Sequence, residues 1–425
     1  MPSSIIKNKS LFFLYGILLL SSLNILAQNS GCTDPKAKNY SPLAIVNDGS
    51  CEYPVTLFTP KLKAFLPKEV EETSGLEFFN NGLWTMNDSG GKPVIYRIDT
   101  TTGKVLQKIL IKNATNRDWE DLAADEKYLY IGDFGNNSGN RNDLKIYRIT
   151  LSEIPDTGKA ELNAKIITFK FEDRGNEKIN SRKENNFDCE AFTATGDSLL
   201  LFSKNWQNQK TRIYTLPKKP GNYIAHLIDS MDVSGLVTGA DYNKKARELI
   251  LVGYKNKSWI PFLWIISDFD GRNFKNTNKR RINMPKIITT QTEGVAYTNG
   301  KNIMITSEAT KFGKQSLYAL NTSKWTKQNK KESLTESTNN LISKTEGHSG
   351  RKIYLYLKNI PDGEYNIKLY DLAGNEIPVK KVKLKKNKNH IILSVKTKKL
   401  HGGKYFVKLT AGNKQSVKMF LINDK

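Results

Sequence analysis

The chain has 425 residues, of which 38% are hydrophobic and 25% charged, a balance that fits a globular protein and excludes a disordered or membrane-embedded one. Its formal net charge of +24 is mostly lysine, and between Lys344 and Lys425 there are 19 basic residues against 6 acidic ones. No helix-turn-helix, zinc finger or aromatic RNA-binding signature accompanies that excess, so it argues for solubility and attraction to anionic glycans or lipids and against nucleic acid.

The N-terminus reads as a secretory signal. Lys7 and Lys9 form a basic start, residues 11–26 are apolar except for Gly16, Ser21, Ser22 and Asn24, and Leu26-Ala27-Gln28 offers cleavage after Ala27. The run falls short of the roughly 20 clean apolar residues a membrane span prefers. Asn29-Ser30-Gly31 also lacks the apolar residue that precedes a lipoprotein cysteine. Residues 1–27 are therefore expected to leave as a signal peptide, and no later segment is apolar enough to cross a bilayer, so no transmembrane span is expected in the mature protein.

Residues 28–54 form a short module, from Gly31-Cys32-Thr33-Asp34-Pro35 to Asn47-Asp48-Gly49-Ser50-Cys51. Cys32 and Cys51 are the ends of a 20-residue segment, and a disulfide between them would contribute about 3 kcal/mol by loop entropy in an oxidising compartment. Asp-Pro and Asp-Gly mark turns, and the oxygens of Asp34, Asn47 and Asp48 either form those turns or hold a calcium ion. The third cysteine, Cys189, lies between Asp188 and Glu190, whose charges disfavour a thiolate; a buried structural thiol is expected.

Residues 55–326 carry an almost unbroken strand pattern with hairpin signals at Asn80-Asn81-Gly82, Thr195-Gly196-Asp197, Asp270-Gly271 and Thr298-Asn299-Gly300. Five motifs open apolar strands: Ser74-Gly75-Leu76, Glu120-Asp121-Leu122-Ala123, Asp188-Cys189-Glu190-Ala191-Phe192, Thr238-Gly239-Ala240-Asp241-Tyr242 and Thr292-Glu293-Gly294-Val295-Ala296. Their spacing of roughly 45 to 70 residues, with a second and a third strand after each, predicts propeller blades. A sixth blade is open if residues 55–66 combine with a segment near the end of the repeat region. Residues 327–347 are polar and read as a linker. Beyond them, the alternations Ile353, Leu355, Leu357 and Tyr405, Val407, Leu409 predict half-buried antiparallel strands over residues 348–425. The fold expected is all-β: a five- or six-bladed β-propeller followed by a small C-terminal β-sandwich.

Only one histidine, His226, lies in the propeller, and no nucleophile elbow, paired Cys-x-x-Cys or phosphate-cradling glycine loop occurs, which disfavours serine hydrolase, zinc and nucleotide chemistry. Carboxylates remain. Glu120, Asp188, Glu190 and Glu293 are the candidate metal ligands, and Asp88, Asp121, Asp241 and Glu308 the candidate ligand-binding residues, with Asp133 at a further strand end. Hard oxygens gathered on a ring suit calcium, the one cofactor expected. Glu120 and Glu190 are the catalytic candidates, as metal-assisted phosphoesterase residues or as the acid and base of a glycosidase. Against these stands a structural role, in which the acids accept backbone N–H groups and lock neighbouring blades. Trp84, Trp119 and Trp206 offer either sugar-stacking rings or core packing.

Three resemblances extend this reading. The stapled module, with Asn39-Tyr40 inside it, resembles a short repeat found in exported proteins of the Bacteroidetes. Leu83-Trp84-Thr85-Met86-Asn87-Asp88, Asp118-Trp119-Glu120-Asp121-Leu122-Ala123 and Ile131-Gly132-Asp133-Phe134-Gly135 resemble secreted propellers in the style of the phytase-like, calcium-dependent ones, which implies fold more than activity. Gly363-Glu364-Tyr365-Asn366-Ile367-Lys368-Leu369-Tyr370 and Gly403-Lys404-Tyr405-Phe406-Val407-Lys408-Leu409 resemble the C-terminal sorting domain of the type IX secretion system, although Arg351-Lys352-Ile353-Tyr354 replaces its usual Tyr-Pro-Asn-Pro opening. The partners implied are the type IX machinery and an extracellular small molecule, glycan or phosphorylated ligand. The expected role is ligand or cation binding at the central channel, outside the cell or on its surface; the alternatives are an extracellular hydrolase and a surface adhesion protein.

Overall fold

The structure, a computed structural model, describes residues 29–287, 291–311, 313–326, 342–348, 350–357, 365–371, 375–387, 390–401, 403–411 and 414–422. The expected signal peptide, with Ala27, lies outside the described residues. The chain divides into two compact units.

The larger unit, residues 36–38 and 51–329, contains five sheets built on one plan. The motif strands are innermost: Thr73–Phe79, Trp119–Ala124, Asp188–Thr195, Leu236–Asn243 and Thr292–Asn299. From each, the chain steps outward through antiparallel strands, as in Glu248–Tyr254, Pro261–Ser267 and Asn278–Asn283 of the fourth sheet. The third strands foreseen after each motif are Val94–Ile98, Lys145–Thr150 and Lys210–Pro217. The second and third sheets join at their outer edges, where Lys165–Phe171 runs parallel to Gly221–Asp232. The N-terminal strand Lys61–Phe65 pairs with Ser316–Asn321 and becomes the outer strand of the fifth sheet. The segment weighed as part of a sixth blade is thus shared: Thr56–Leu57 runs parallel to Asn278–Asn283 at the edge of the fourth sheet, and Lys61–Phe65 completes the fifth.

The packing closes into a ring. Each inner strand lies against the next, and Thr292–Asn299 returns to Thr73–Phe79. Between successive sheets sit five apolar layers. Trp84, Ile95 and Ile109 face Trp119, Leu122 and Ile131 in the first, and Leu66, Leu317 and Ala296 face Leu76, Leu83 and Ile98 in the last. Every sheet is covered on both faces, which explains why a run such as Glu248-Leu249-Ile250-Leu251-Val252 does not alternate. Leu249 and Leu251 enter the layer shared with the third sheet, and Ile250 and Val252 the layer shared with the fifth. Trp84 and Trp119, with 1% and 0% exposure, are core residues and not sugar platforms.

Turn chemistry follows the sequence closely. Asn80 and Asn81 both take positive φ, 46° and 53°, as a two-residue hairpin requires. Among the described residues the only helices are short 3₁₀ turns.

The smaller unit, residues 1–35, 39–50 and 330–425, holds two four-stranded antiparallel sheets. One contains Ile342–His348, Gly350–Leu357, His390–Leu400 and Val379–Asn387; the other contains Glu376–Ile377, Tyr365–Tyr370, Gly403–Ala411 and Lys414–Ile422. The first strand begins inside the segment whose polarity suggested a linker to residue 347; residues 327–341 of that segment lie outside the described residues. Cys32 and Cys51 are disulfide-bonded. Asn47 Oδ1 accepts from Gly49 N at 3.1 Å and Asp48 Oδ1 from Ser50 N at 3.0 Å, so both side chains serve turns.

Candidate functional site

The five inner strands share one irregularity at their starting ends. Each ladder to the second strand slips there: between Thr73 and Leu76, Trp119 and Asp121, Cys189 and Ala191, Val237 and Gly239, and Thr292 and Val295. The residues left unpaired are Ser74-Gly75, Glu120, Glu190, Thr238 and Glu293-Gly294. A β-bulge re-aims the side chain it carries, and here it carries Glu120, Glu190 and Glu293 to one mouth of the ring.

Within the bulges and just past them, neighbouring inner strands approach closely through backbone. A Cβ on Gly75 would meet Leu122 N at 2.4 Å, one on Gly239 would meet Glu293 O at 2.2 Å, and one on Gly294 would meet Ser74 O at 2.4 Å. Ser74 Oγ donates to Glu120 O at 2.5 Å and Thr238 Oγ1 to Thr292 O at 2.7 Å, tying neighbouring inner strands. The small residues of the repeated motifs exist for this close approach.

The predicted acids separate into two groups. Asp121 and Asp241 lie below the mouth and are structural. Asp121 Oδ2 accepts from Phe192 N and Ala240 N, both at 3.1 Å, and Asp241 Oδ2 accepts from Tyr297 N at 2.7 Å. Glu77 plays the same part, its Oε2 accepting from Ala124 N at 2.9 Å. Burial, opposed by these N–H donors, still pushes Asp241 up to about 6. Asp121 and Asp241, candidate ligand-binding residues in the sequence, here turn their oxygens to backbone N–H groups, the arrangement that the alternative structural role describes. Asp133 is likewise committed, to Arg141 at 2.5 Å.

At the mouth stand Asp88, Asp118, Glu120, Asp188, Glu190, Glu293 and Glu308. One ligand oxygen each from Asp88, Asp118 and Glu120 lie within 4.8 Å of one another. Among the described residues no hydrogen-bond donor reaches the carboxylates of Asp118, Glu120 or Glu293, and Glu120 and Glu293 are 3% and 5% exposed. Gly135 makes room for two of them: a Cβ there would fall 1.9 Å from Glu120 Oε1 and 2.5 Å from Asp118 Oδ2. The other acids have partners. Asp188 accepts from Asn136 N at 2.7 Å and Trp206 Nε1 at 2.8 Å. Glu308 accepts from Gln291 Nε2 at 2.6 Å, and Glu190 pairs with the buried Lys204.

The electrostatics follow from crowding like charges in a buried place. Burial, then Asp88 and Asp188, push Asp118 up to about 7. Burial and Asp88 push Glu308 up to about 7, and burial with neighbouring acids holds Glu120 and Glu293 well above the usual carboxylate range. Burial opposes the charge on Lys204, yet Glu190, Tyr254, Glu293 and Asp188 hold it well above the ordinary lysine value.

Sequence reasoning named six of the seven mouth acids and missed Asp118 and Lys204. Asp118 had a signal: it precedes Glu120 by two residues, a spacing that puts both on one face of an extended strand, and Asp188 with Glu190 repeats it. Lys204 pairs across the ladder with Asp188, which only the register reveals. Cys189 is buried and free, its thiol pushed up by burial and Asp188, as expected of a structural cysteine.

Comparison with known proteins adds the following. Residues 351–423 match the secretion system C-terminal sorting domain. No curated protein matches the chain. Among solved structures it is similar to a β-xylosidase structure (RS223) at 10% identity and a TM-score of 0.20, covering 53% of this chain and 94% of that one. It is also similar to an I-band fragment of titin, I67–I69, at 10% identity and a TM-score of 0.15, covering 71% and 100%. Overlaps this loose carry no argument about fold or activity. The sorting domain marks the protein for type IX secretion, to the cell surface or the medium.

Proposed function

We propose that residues 55–326 form a five-bladed β-propeller whose mouth holds a divalent cation, calcium by its donor chemistry, and presents it to an extracellular ligand. One observation carries this reading: Asp88, Asp118 and Glu120 bring carboxylate oxygens within 4.8 Å of one another, and two of the three have no donor among the described residues. All the donors are hard oxygens, as calcium prefers. Glu293 and Glu308 extend the same negative surface. A bound cation would supply positive charge where buried carboxylates now repel, and open coordination positions for oxygens of a ligand.

Binding is favoured over turnover because Glu190, one of the two catalytic candidates, is engaged by Lys204. The test is calorimetry with calcium on the mature full-length chain after chelation. We expect saturable binding that Glu120→Gln and Gly135→Ala both weaken by an order of magnitude or more, the second by filling the space beside Glu120 and Asp118. Absence of binding heat and of any calcium-dependent rise in Tm would overturn the proposal. Release of nitrophenol from bis(p-nitrophenyl) phosphate, lost in Glu120→Gln, would replace it with the hydrolase reading.

A further inference from the structure

We infer that the smaller unit carries a binding site of its own, a cavity that takes an acidic sugar through Lys368 and Lys408; it does not depend on the cation site of the ring. Tyr365–Tyr370 and Gly403–Ala411 pair antiparallel, and their alternation sends Ile367, Leu369, Val407 and Leu409 into the core. The opposite face therefore carries Asn366, Lys368 and Tyr370 on one strand and Lys408 and Thr410 on the other. The register sets Lys368 directly across from Lys408. Like charges in that position repel. The cavity between them has one carboxylate in its lining, that of Glu376, which lies opposite Tyr370 on the next strand. Its Oε2 accepts from Lys368 Nζ at 2.8 Å.

Lys408 keeps its charge uncompensated. Its Nζ donates to Tyr40 OH and Pro42 O, both at 3.3 Å, and both acceptors are neutral. Tyr40 and Pro42 come from the stapled module, which belongs to the same unit, and they wall the cavity. Its volume is about 440 Å³, within the range of small-molecule sites. Tyr370 also lines it, is 4% exposed, and among the described residues has no hydrogen-bond partner for its hydroxyl. A buried hydroxyl unsatisfied within the fold is one that a ligand can satisfy.

The chemistry of the lining selects the ligand. Pro42 is its one aliphatic side chain, so an acyl chain has nothing to lie along. Its one acid is already paired with Lys368, which disfavours a cation. The surplus of positive charge calls for an anion. The hydroxyls of Tyr40, Tyr370 and Thr410 call for a ligand rich in hydroxyl groups, and the volume exceeds what an inorganic anion fills. A sugar bearing a carboxylate, phosphate or sulfate supplies both parts, with its charged oxygens on the two ammonium groups.

The test is calorimetric titration of the full chain from Gln28 to Lys425, with chelator present so that the ring's cation site stays silent. The probes are trigalacturonic acid, glucose 6-phosphate and a chondroitin sulfate disaccharide, with maltotriose and sodium phosphate as controls. We expect at least one acidic sugar to bind, and both controls to bind about tenfold more weakly or not at all. Lys408→Met and Lys368→Met should each weaken it about tenfold, and Tyr370→Phe, which removes a single oxygen, about threefold with Tm unchanged. Lys61→Met, at an exposed lysine of the larger unit, should change nothing. Lys408→Met also releases the module's Tyr40, so the decisive variants are Lys368→Met and Tyr370→Phe: binding indifferent to both overturns the inference. Failure of all three acidic sugars to bind overturns it too. An equal loss in Lys61→Met would reduce the site to general charge attraction, and phosphate bound as tightly as the sugars would remove the saccharide. Calcium affinity should be the same in every variant, so either site can fail without the other.

Discussion

Asp121 Oδ2 sits 3.1 Å from Phe192 N, the amide of the neighbouring inner strand, and the same oxygen is 3.1 Å from Ala240 N one strand further on. A single carboxylate thus ties three of the five inner strands at the axis. Asp121→Ala would take the side-chain acceptor from three buried N–H groups, those of Phe192, Ala240 and Leu122, and we expect a loss of about 2–5 kcal/mol in chemical denaturation. Asp121→Asn, which keeps an acceptor, should lose clearly less.

The glycines of the repeated motifs give a sharper contrast. Gly294→Ala puts a methyl 2.4 Å from Ser74 O, a backbone atom held by its own strand. A loss of about 2–4 kcal/mol is expected, with a lowered Tm. Gly175→Ala, where a Cβ meets nothing within 4 Å, should be neutral. Equal effects at the two positions would show that the close approach at the axis does not limit stability.

Lys204 and Glu190 form an ion pair with side chains 5% and 4% exposed. Removing one partner strands the other, so Lys204→Met should cost about 3–5 kcal/mol. The double variant Lys204→Met with Glu190→Gln should recover most of that, and a double-mutant cycle from urea unfolding would read the coupling directly.

Asp241 provides a pH test with a definite sign. Its ordinary value is 3.8 and burial lifts it to about 6 in the folded protein. Below about pH 4 both states hold the proton; between about 4 and 6 the unfolded chain gives it up first, so stability falls as pH rises through that window and levels off above it. The loss attributable to this one group is at most about 3 kcal/mol. Asp241→Asn should flatten the slope of Tm against pH over that range; an unchanged slope would place the titration elsewhere.

Export is checked most simply by truncation. Removing residues 351–425, which include the matched sorting domain, should leave the remaining chain in the periplasm. Fractionation that finds it at the surface or in the medium would show that another signal directs it.

The ring was largely legible in the sequence because its elements are local. Turn pairs such as Asn80-Asn81 and the motif strands announce themselves residue by residue, and the apolar runs of doubly covered sheets cannot be mistaken for solvated ones. The division of labour among the acids was not legible. Glu120 and Asp121 are adjacent and alike on paper, yet the slip between Trp119 and Asp121 lifts Glu120 to the mouth while Asp121 stays in the ladder and grips its neighbours. A bulge is a property of two strands in register, and one strand's letters do not contain it. Lys204 was hidden for the same reason, as a cation whose partners come from two inner strands and from the second strand of the fourth sheet.

The strand Lys61–Phe65 is made early and its partner Ser316–Asn321 late. A chain emerging from its N-terminus must keep that first strand waiting until some 250 residues have followed it, so every shorter fragment is an open arc with two raw edges. Nascent or truncated forms ending before residue 316 should consequently be recognised by holding chaperones and proteases, whereas the latched circle, with no free end in its rim, should resist both.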